Sequence, residues 1–405
     1  MDSSTHQRFE QSQYEWFVKL WSVFGIGLFL ATWKLWTPQT EFPQIPFFGF
    51  LVSTPGWIDW LALGIAIAGL TGCVALQLPR DKNLTKSLMT TQAASGVFAI
   101  SMMVLISLNQ QRLQPWAYQF LFFATLIWRC KREQALPAMR WIVISIYVYS
   151  ALSKLDYQFV HTVGDQMLST STRLIGVDSS KWPAEVKSFL ILMFPTAELL
   201  IGVGLSIHST RRLATFAAVS MHVALLLILG PTGLNHQYGV LVWNLFFVVQ
   251  AILLFGLQTS AKGSARKTTG KNQANHINSF AKFITLFVVG FPMTQWVGIC
   301  DHWPAWQVYS PSSSRAKLIN QRSLGAWSIE ALGVPIYPQG RFQFAVAVAI
   351  AKKQELDRPQ IELQDQSNRF SGERNTVSLS RADQLARKAD SFWLNTKARD
   401  LWYEN

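Results

Sequence analysis

Three ionisable residues stand inside long apolar runs. Lys154 ends Ile146-Tyr-Val-Tyr-Ser-Ala-Leu-Ser-Lys154, Glu198 lies in Phe194-Pro-Thr-Ala-Glu-Leu-Leu-Ile-Gly202, and His222 lies in Ser220-Met-His-Val-Ala. An ionisable side chain in hydrocarbon costs at least a few kcal/mol, so each is a candidate for proton chemistry. A lysine acts as a base only as the neutral amine, a form that a low-dielectric setting favours. Tyr147, Ser150 and Lys154 are spaced i, i+3 and i+7 and share a helix face, so a hydroxyl can hold the amine. Glu198 and His222 fall about ten residues into runs joined by the short turn Ser209–Arg212. Antiparallel packing sets them at similar depth and permits a contact, as orienting or proton-relay groups. Asp156, Asn235, His236 and Asn244 add polar groups at the same end and complete a candidate substrate pocket. Two plainer readings stay open. Lys154 snorkels to the interface and pairs with Asp156, or Glu198 and His222 make satisfied buried hydrogen bonds that fix helix packing.

The elements that must position these residues are long. About 30 Å of hydrocarbon at 1.5 Å per residue requires about 20 apolar residues per helix. Nine such runs are expected, at about 16–36, 57–78, 87–108, 114–130, 139–160, 188–207, 212–230, 238–258 and 281–300. The first is too long for a signal-peptide core and reads as an uncleaved span. Gly202 and Gly204 would let a neighbouring helix approach closely. Alternate loops differ in charge. One set holds Arg80, Lys82, Lys86, Arg129, Lys131, Arg132, Arg140, Arg211, Arg212, Lys262, Arg266, Lys267, Lys271 and Lys282; the other holds Arg112, Arg173, Lys181 and Lys187. Basic loops are retained in the cytoplasm, which puts the N-terminus inside and everything after Cys300 outside. Tryptophans such as Trp33, Trp36, Trp57, Trp60 and Trp116 fall near run ends, as an interfacial belt would place them.

Composition agrees. Of 405 residues, 50% are hydrophobic, only 15% are charged and 17 are tryptophan, against about 25% charged for an ordinary soluble protein. The net charge of +13 follows the loops and does not point to nucleic acid. Cys73, Cys130 and Cys300 form no C-x-x-C or Cys/His ligand spacing, so disulfide scaffolds, covalent haem and zinc ribbons are excluded and no metal site is expected. No P-loop, G-x-S-x-G or H-E-x-x-H occurs. The S-x-x-K match at Ser314–Lys317 lies outside any expected helix.

Residues 1–300 thus read as a transmembrane helical domain and 301–405 as a small external α+β domain. In the latter, alternation predicts strands at Phe342–Ile350, Gln360–Leu363 and Thr376–Leu379, followed by a helix from about Arg381 to Trp402. Residues 259–279, rich in Thr, Ser, Lys, Gly and Asn, read as a solvated linker. The expected fold class is an all-α polytopic membrane bundle with a small α+β external C-terminal domain.

The segment Tyr147-Val-Tyr-Ser-Ala-Leu-Ser-Lys-Leu-Asp156, followed by Met167 and a long outer loop, resembles the lysine-bearing segment of vitamin K-dependent γ-carboxylases and of bacterial proteins with a horizontally transferred transmembrane domain. Glu198, the glycines after it, the basic turn Arg211-Arg212 and His222 come in that family's order, so the resemblance covers about 139–258. It implies that Lys154 is the base that deprotonates a reduced quinone, ahead of oxygenation and carboxylation. It departs in the loop Leu108–Trp116, which lacks the histidine those enzymes use there. Pro195-Thr-Ala-Glu198-Leu is also similar to small quinone- or thiol-associated membrane proteins of the DoxX type. The expectations are therefore quinol-linked oxidation or carboxylation in a bacterial inner membrane, with a reduced quinone as the one cofactor implied. The alternative is a non-enzymatic anchor that presents the external domain to a periplasmic protein.

Overall fold

A computed structural model describes residues 3–76, 84–257 and 279–404. The basic loop residues Arg80, Lys82, Lys262, Arg266, Lys267 and Lys271, and nearly all of the expected linker 259–279, lie outside the described residues. The bundle is built from α1 (Ser3–Ala31), α2 (Trp57–Leu76), α3 (Leu84–Leu108), α4 (Pro115–Arg129) and α5 (Arg132–Lys154). After these come α6 (Val163–Leu174), α7 (Ala184–Ser206), α8 (Arg211–Leu229), α9 (Tyr238–Ala251) and α10 (Ser279–Gly290). Among the described residues, eight of these helices, some with the turn that continues them, are long and apolar enough to cross a membrane. Their outward side chains are themselves apolar, with Leu213, Phe216 and Leu286 more than 70% exposed. Such a surface is stable only where hydrocarbon replaces water. This is the architecture of a multi-pass membrane protein.

The run expected at 114–130 departs from the other eight. It forms α4, whose 15 residues give only about 22 Å of helix. Phe120, Phe123, Ala124 and Ile127 on it are fully buried, so its apolar character is spent on the protein interior. Trp36 and Trp116 likewise leave the expected interfacial belt: both are buried and meet edge to face, ring centroids 5.3 Å apart. Trp33, Trp57 and Trp60 remain exposed at helix ends.

Close helix contacts follow the glycines. A Cβ on Gly202 of α7 would stand 3.0 Å from the Tyr147 Cβ of α5, and one on Gly204 would stand 2.8 Å from the Ala214 Cβ of α8. Small residues here let α7 lie against both neighbours. The stretch after α5, expected as a long loop, is ordered instead. Asp156 caps a one-turn helix, Tyr157–His161, by accepting the Phe159 N–H at 2.6 Å, and α6 follows. Phe159, Met167, Leu168 and Ile191 make a satellite core beneath it.

The C-terminal segment contains α11 (Leu324–Leu332), α12 (Gly340–Lys353), α13 (Ala382–Asp390) and a three-stranded antiparallel sheet in the order β1 (Arg315–Leu318), β2 (Ile361–Gln364), β3 (Thr376–Leu379). The strand expected at Phe342–Ile350 is instead the centre of α12. Its alternation of large residues with alanine mimics a strand, but Gly340–Ala347 are all buried. A helix buried all round has no polar face to show a 3.6 period. The expected helix 381–402 ends at Asp390. Beyond it the chain runs extended to carry Arg399 into the bundle, where the Arg399 N–H bonds Gln44 O at 2.9 Å. There Asp59 of α2 takes two guanidinium groups, Arg112 at 2.6 Å and Arg399 at 2.8 Å, all three side chains being fully buried. Arg112 also donates to the carbonyls of Leu35, Leu105 and Thr37.

Candidate functional site

Lys154 occupies the last position of α5, and the C-terminal segment packs over that end of the helix. Ser310 Oγ donates to Ser153 O at 3.2 Å, and Tyr157 N–H donates to Arg369 O at 2.7 Å. The Lys154 ammonium donates to Ser150 Oγ at 2.8 Å, one turn back, and to Glu198 Oε2 at 2.6 Å. The i, i+4 spacing on α5 and the close approach at Gly202 together produce this pair. Both side chains remain slightly open, at 12% and 13% exposure. A lysine has three N–H groups, and among the described residues only two have acceptors; Glu198 Oε1 has no donor. One donor and one acceptor therefore stay available beside each other.

A second chain of bonds lies next to the first. Asn244 Nδ2 donates to Val240 O at 2.9 Å, which orients its amide so that Oδ1 faces His222 Nδ1 at 2.9 Å. Oδ1 is only an acceptor, so Nδ1 carries the hydrogen; in the neutral ring Nε2 is then the acceptor, and Tyr147 O–H, 2.8 Å away, donates to it. The imidazole is stacked on Phe247, ring centroids 4.6 Å apart. Tyr147, Ser150, Lys154, Glu198, His222 and Asn244 all line one cavity of about 170 Å³, whose remaining wall is apolar, with Phe159, Met167, Phe194 and Trp243 prominent. That volume compares with the roughly 150 Å³ that suffices for a benzene ring in an apolar protein interior.

Six residues singled out from sequence thus share one void, while three others lie elsewhere. Asp156 serves as the helix cap described above, and burial raises its carboxyl above the usual range. Asn235 is an exposed turn residue with φ of 51°, a left-handed conformation that asparagine tolerates better than most residues. His236 is half-buried, its imidazole held below the ordinary value by burial, and its ring meets Tyr309 edge to face. The pairings differ from expectation in two respects. Glu198 bonds Lys154 rather than His222, whose two ring nitrogens are taken by Tyr147 and Asn244; Lys154 turns toward Glu198, leaving Asp156 to its cap.

Sequence reasoning missed Phe159 and Met167, which enter through the ordered stretch after α5, and Tyr309, which arrives from the C-terminal segment. Gly164 was the available signal for the first two. A Cβ there would collide with Ile191 and Phe159 O, so only glycine lets α6 lie against α7. Comparison with protein-family models, with characterised proteins and with solved structures finds no match to this chain.

Proposed function

We propose that the cavity seats the ring of a membrane-soluble quinol and that the Lys154–Glu198 pair takes a proton from its hydroxyl. The observation that carries this reading is the pair's unspent donor and acceptor, adjacent on the wall of an otherwise apolar void of one-ring size. As amine and carboxylate the two groups have two basic sites, and as ammonium and carboxylate they hold one proton between them. The pair therefore has room for one more, arriving at Glu198 while Lys154 donates to the oxygen left negative. His222 and Tyr147 fix the neighbouring wall, and Asn244 sets the imidazole tautomer.

The resemblance to γ-carboxylase-like membrane proteins, which implies Lys154 as the base, supports proton removal at this pair, with Glu198 here taking the proton and Lys154 stabilising the oxygen. The excess of basic residues on alternate loops supports an N-terminus in the cytoplasm of a bacterial inner membrane, with nine crossings if α4 completes one and the C-terminal segment outside. A pure anchor has no need for convergence of Lys154, Glu198 and His222 on a shared void, which favours the enzymatic reading.

The test is consumption of a decyl-substituted benzoquinol in air by the purified protein in lipid nanodiscs, with and without bicarbonate. Wild type is compared with Lys154→Ala at matched thermal midpoint. Turnover lost in the variant, by 100-fold or more, is the expected result, and bicarbonate dependence would identify carboxylation. Equal turnover in both proteins would remove Lys154 as part of the base; no turnover and no quinol binding in wild type would overturn the reading.

A further inference from the structure

A membrane-soluble quinol carries a hydrocarbon chain, and the void beside Lys154 is only one ring in size. The chain must therefore leave through the wall, and the wall is uneven. Its residues on α5 and α9 are buried, apart from Lys154 at the helix end, and Phe159 and Met167 close the side toward α6. Of all the residues that line the void, only Ala197 of α7 and Ala224 of α8 are exposed.

Helical spacing says what that exposure faces. On α7, Met193 and Leu200 are exposed on the outer surface, whereas Phe194 and Glu198 line the void; Ala197 stands between the two directions. On α8, Phe216 and Leu227 are exposed on the outer surface, Met221 and Leu225 line the void, and Ala224 again stands between. Antiparallel packing turns these two edges toward each other, so both alanines flank the groove where α7 meets α8. The helices are held together at the Gly204–Ala214 contact; further along, these edge positions carry only a methyl group each. A residue can show on the outer surface and also line a void only where the wall is one side chain thick. About 13 Å of helix separates Ala197 from Ser206, and more separates it from Ala184, so an opening at this level faces hydrocarbon rather than water.

We infer that the void opens sideways into the bilayer between α7 and α8, past Ala197 and Ala224, and that the hydrocarbon chain of its ligand lies in that opening. This rests on the quinol reading and narrows it: the ligand is a ring bearing one long flexible chain, taken from the membrane rather than from water.

The experiment measures equilibrium binding of decyl-benzoquinol and of methyl-benzoquinol, the same ring without the chain, under argon in nanodiscs. Ala197→Trp and Ala224→Trp, each made singly, fill the groove; Leu200→Trp adds bulk to the outer face of α7 away from it. Each variant is compared with wild type on the same ligand, so partition of that ligand into lipid cancels. Decyl-benzoquinol should bind about tenfold more weakly to both alanine variants, the steric cost of filling an occupied space, and with unchanged affinity to Leu200→Trp. Methyl-benzoquinol should bind all four proteins alike, which also shows that the ring site is intact in each. Unchanged decyl affinity in the alanine variants, equal weakening of both ligands, or the same loss in Leu200→Trp would each overturn the inference and leave the quinol reading standing. A wild type that binds only the methyl compound would do the same. Failure of wild type to bind methyl-benzoquinol would overturn both.

Discussion

Two ion clusters lie inside this bundle, and they are built to opposite ends. Around Asp59 the chain places two arginines on one carboxylate, seals all three completely, and takes up every guanidinium nitrogen of Arg112 on Asp59 or a backbone carbonyl. Around Lys154 a single pair sits at about one-eighth exposure, beside a void, with a donor and an acceptor left over. Arg399 keeps one buried nitrogen, Nε, without a partner among the described residues, but it opens on no void; charges sealed in this way can only hold elements together, and here they tie the 44–59 region and the loop before α4 to the tail of the C-terminal segment. Charges that face a cavity with a donor or acceptor to spare can bind and transfer protons. The difference means that an intramembrane charge becomes a candidate for chemistry when its unused hydrogen-bonding capacity opens on a cavity.

The largest expected effect breaks the locked cluster. Asp59→Asn leaves two buried guanidinium groups without a counter-charge, and breaking a buried pair in this way costs about 3–5 kcal/mol. We expect a large fall in the thermal midpoint and in the yield of monodisperse protein. Glu198→Gln should cost far less, about 1–2 kcal/mol, because Lys154 keeps Ser150 and reaches water in the cavity, yet it should abolish quinol turnover. Equal destabilisation by the two substitutions would erase the distinction.

Acid sharpens the contrast next. His302, on the C-terminal side of the lock and outside the spans, is buried, which holds its imidazole down at about 4 against an ordinary 6.5. The unfolded chain therefore takes up a proton that the folded chain refuses. Stability from this residue is complete above about pH 6.5 and declines as pH falls toward 4, by up to about 3 kcal/mol. Thermal midpoints measured across this range should fall steeply in wild type and less steeply in His302→Gln. Identical slopes would show that His302 is not the titrating group.

How far the sequence foretells this arrangement depends on what neighbours each residue. The eight long helices and the residues Tyr147, Ser150, Lys154, Glu198, His222 and Asn244 were legible, because span length and charge inside a span are local properties. Asp59 was not singled out, since an acid in the first turn of a helix resembles an ordinary end residue; its significance comes from Arg399, 340 positions away. The helical state of Phe342–Ile350 was hidden because total burial removes the amphipathic period. Tyr309 carries no local mark at all. It becomes noticeable only when the fold brings it to a cavity wall with its hydroxyl unpaired.

The smallest effect bears most directly on whether the cavity region is poised rather than locked. Tyr147→Phe removes the donor to His222 Nε2. In a dry, saturated core that loss would strand a buried acceptor at a cost of as much as 3 kcal/mol. Here the imidazole keeps Asn244 on its other nitrogen and Phe247 against its face. The void beside it is large enough for a water that finds Lys154 and Glu198 as further partners. The variant should therefore lose only about 1 kcal/mol, a few degrees in thermal midpoint at most, while quinol affinity shifts because a water now competes for the site. A loss as large as that of Asp59→Asn would mean that His222 belongs to a second lock, and would confine the proposed proton transfer to Lys154 and Glu198.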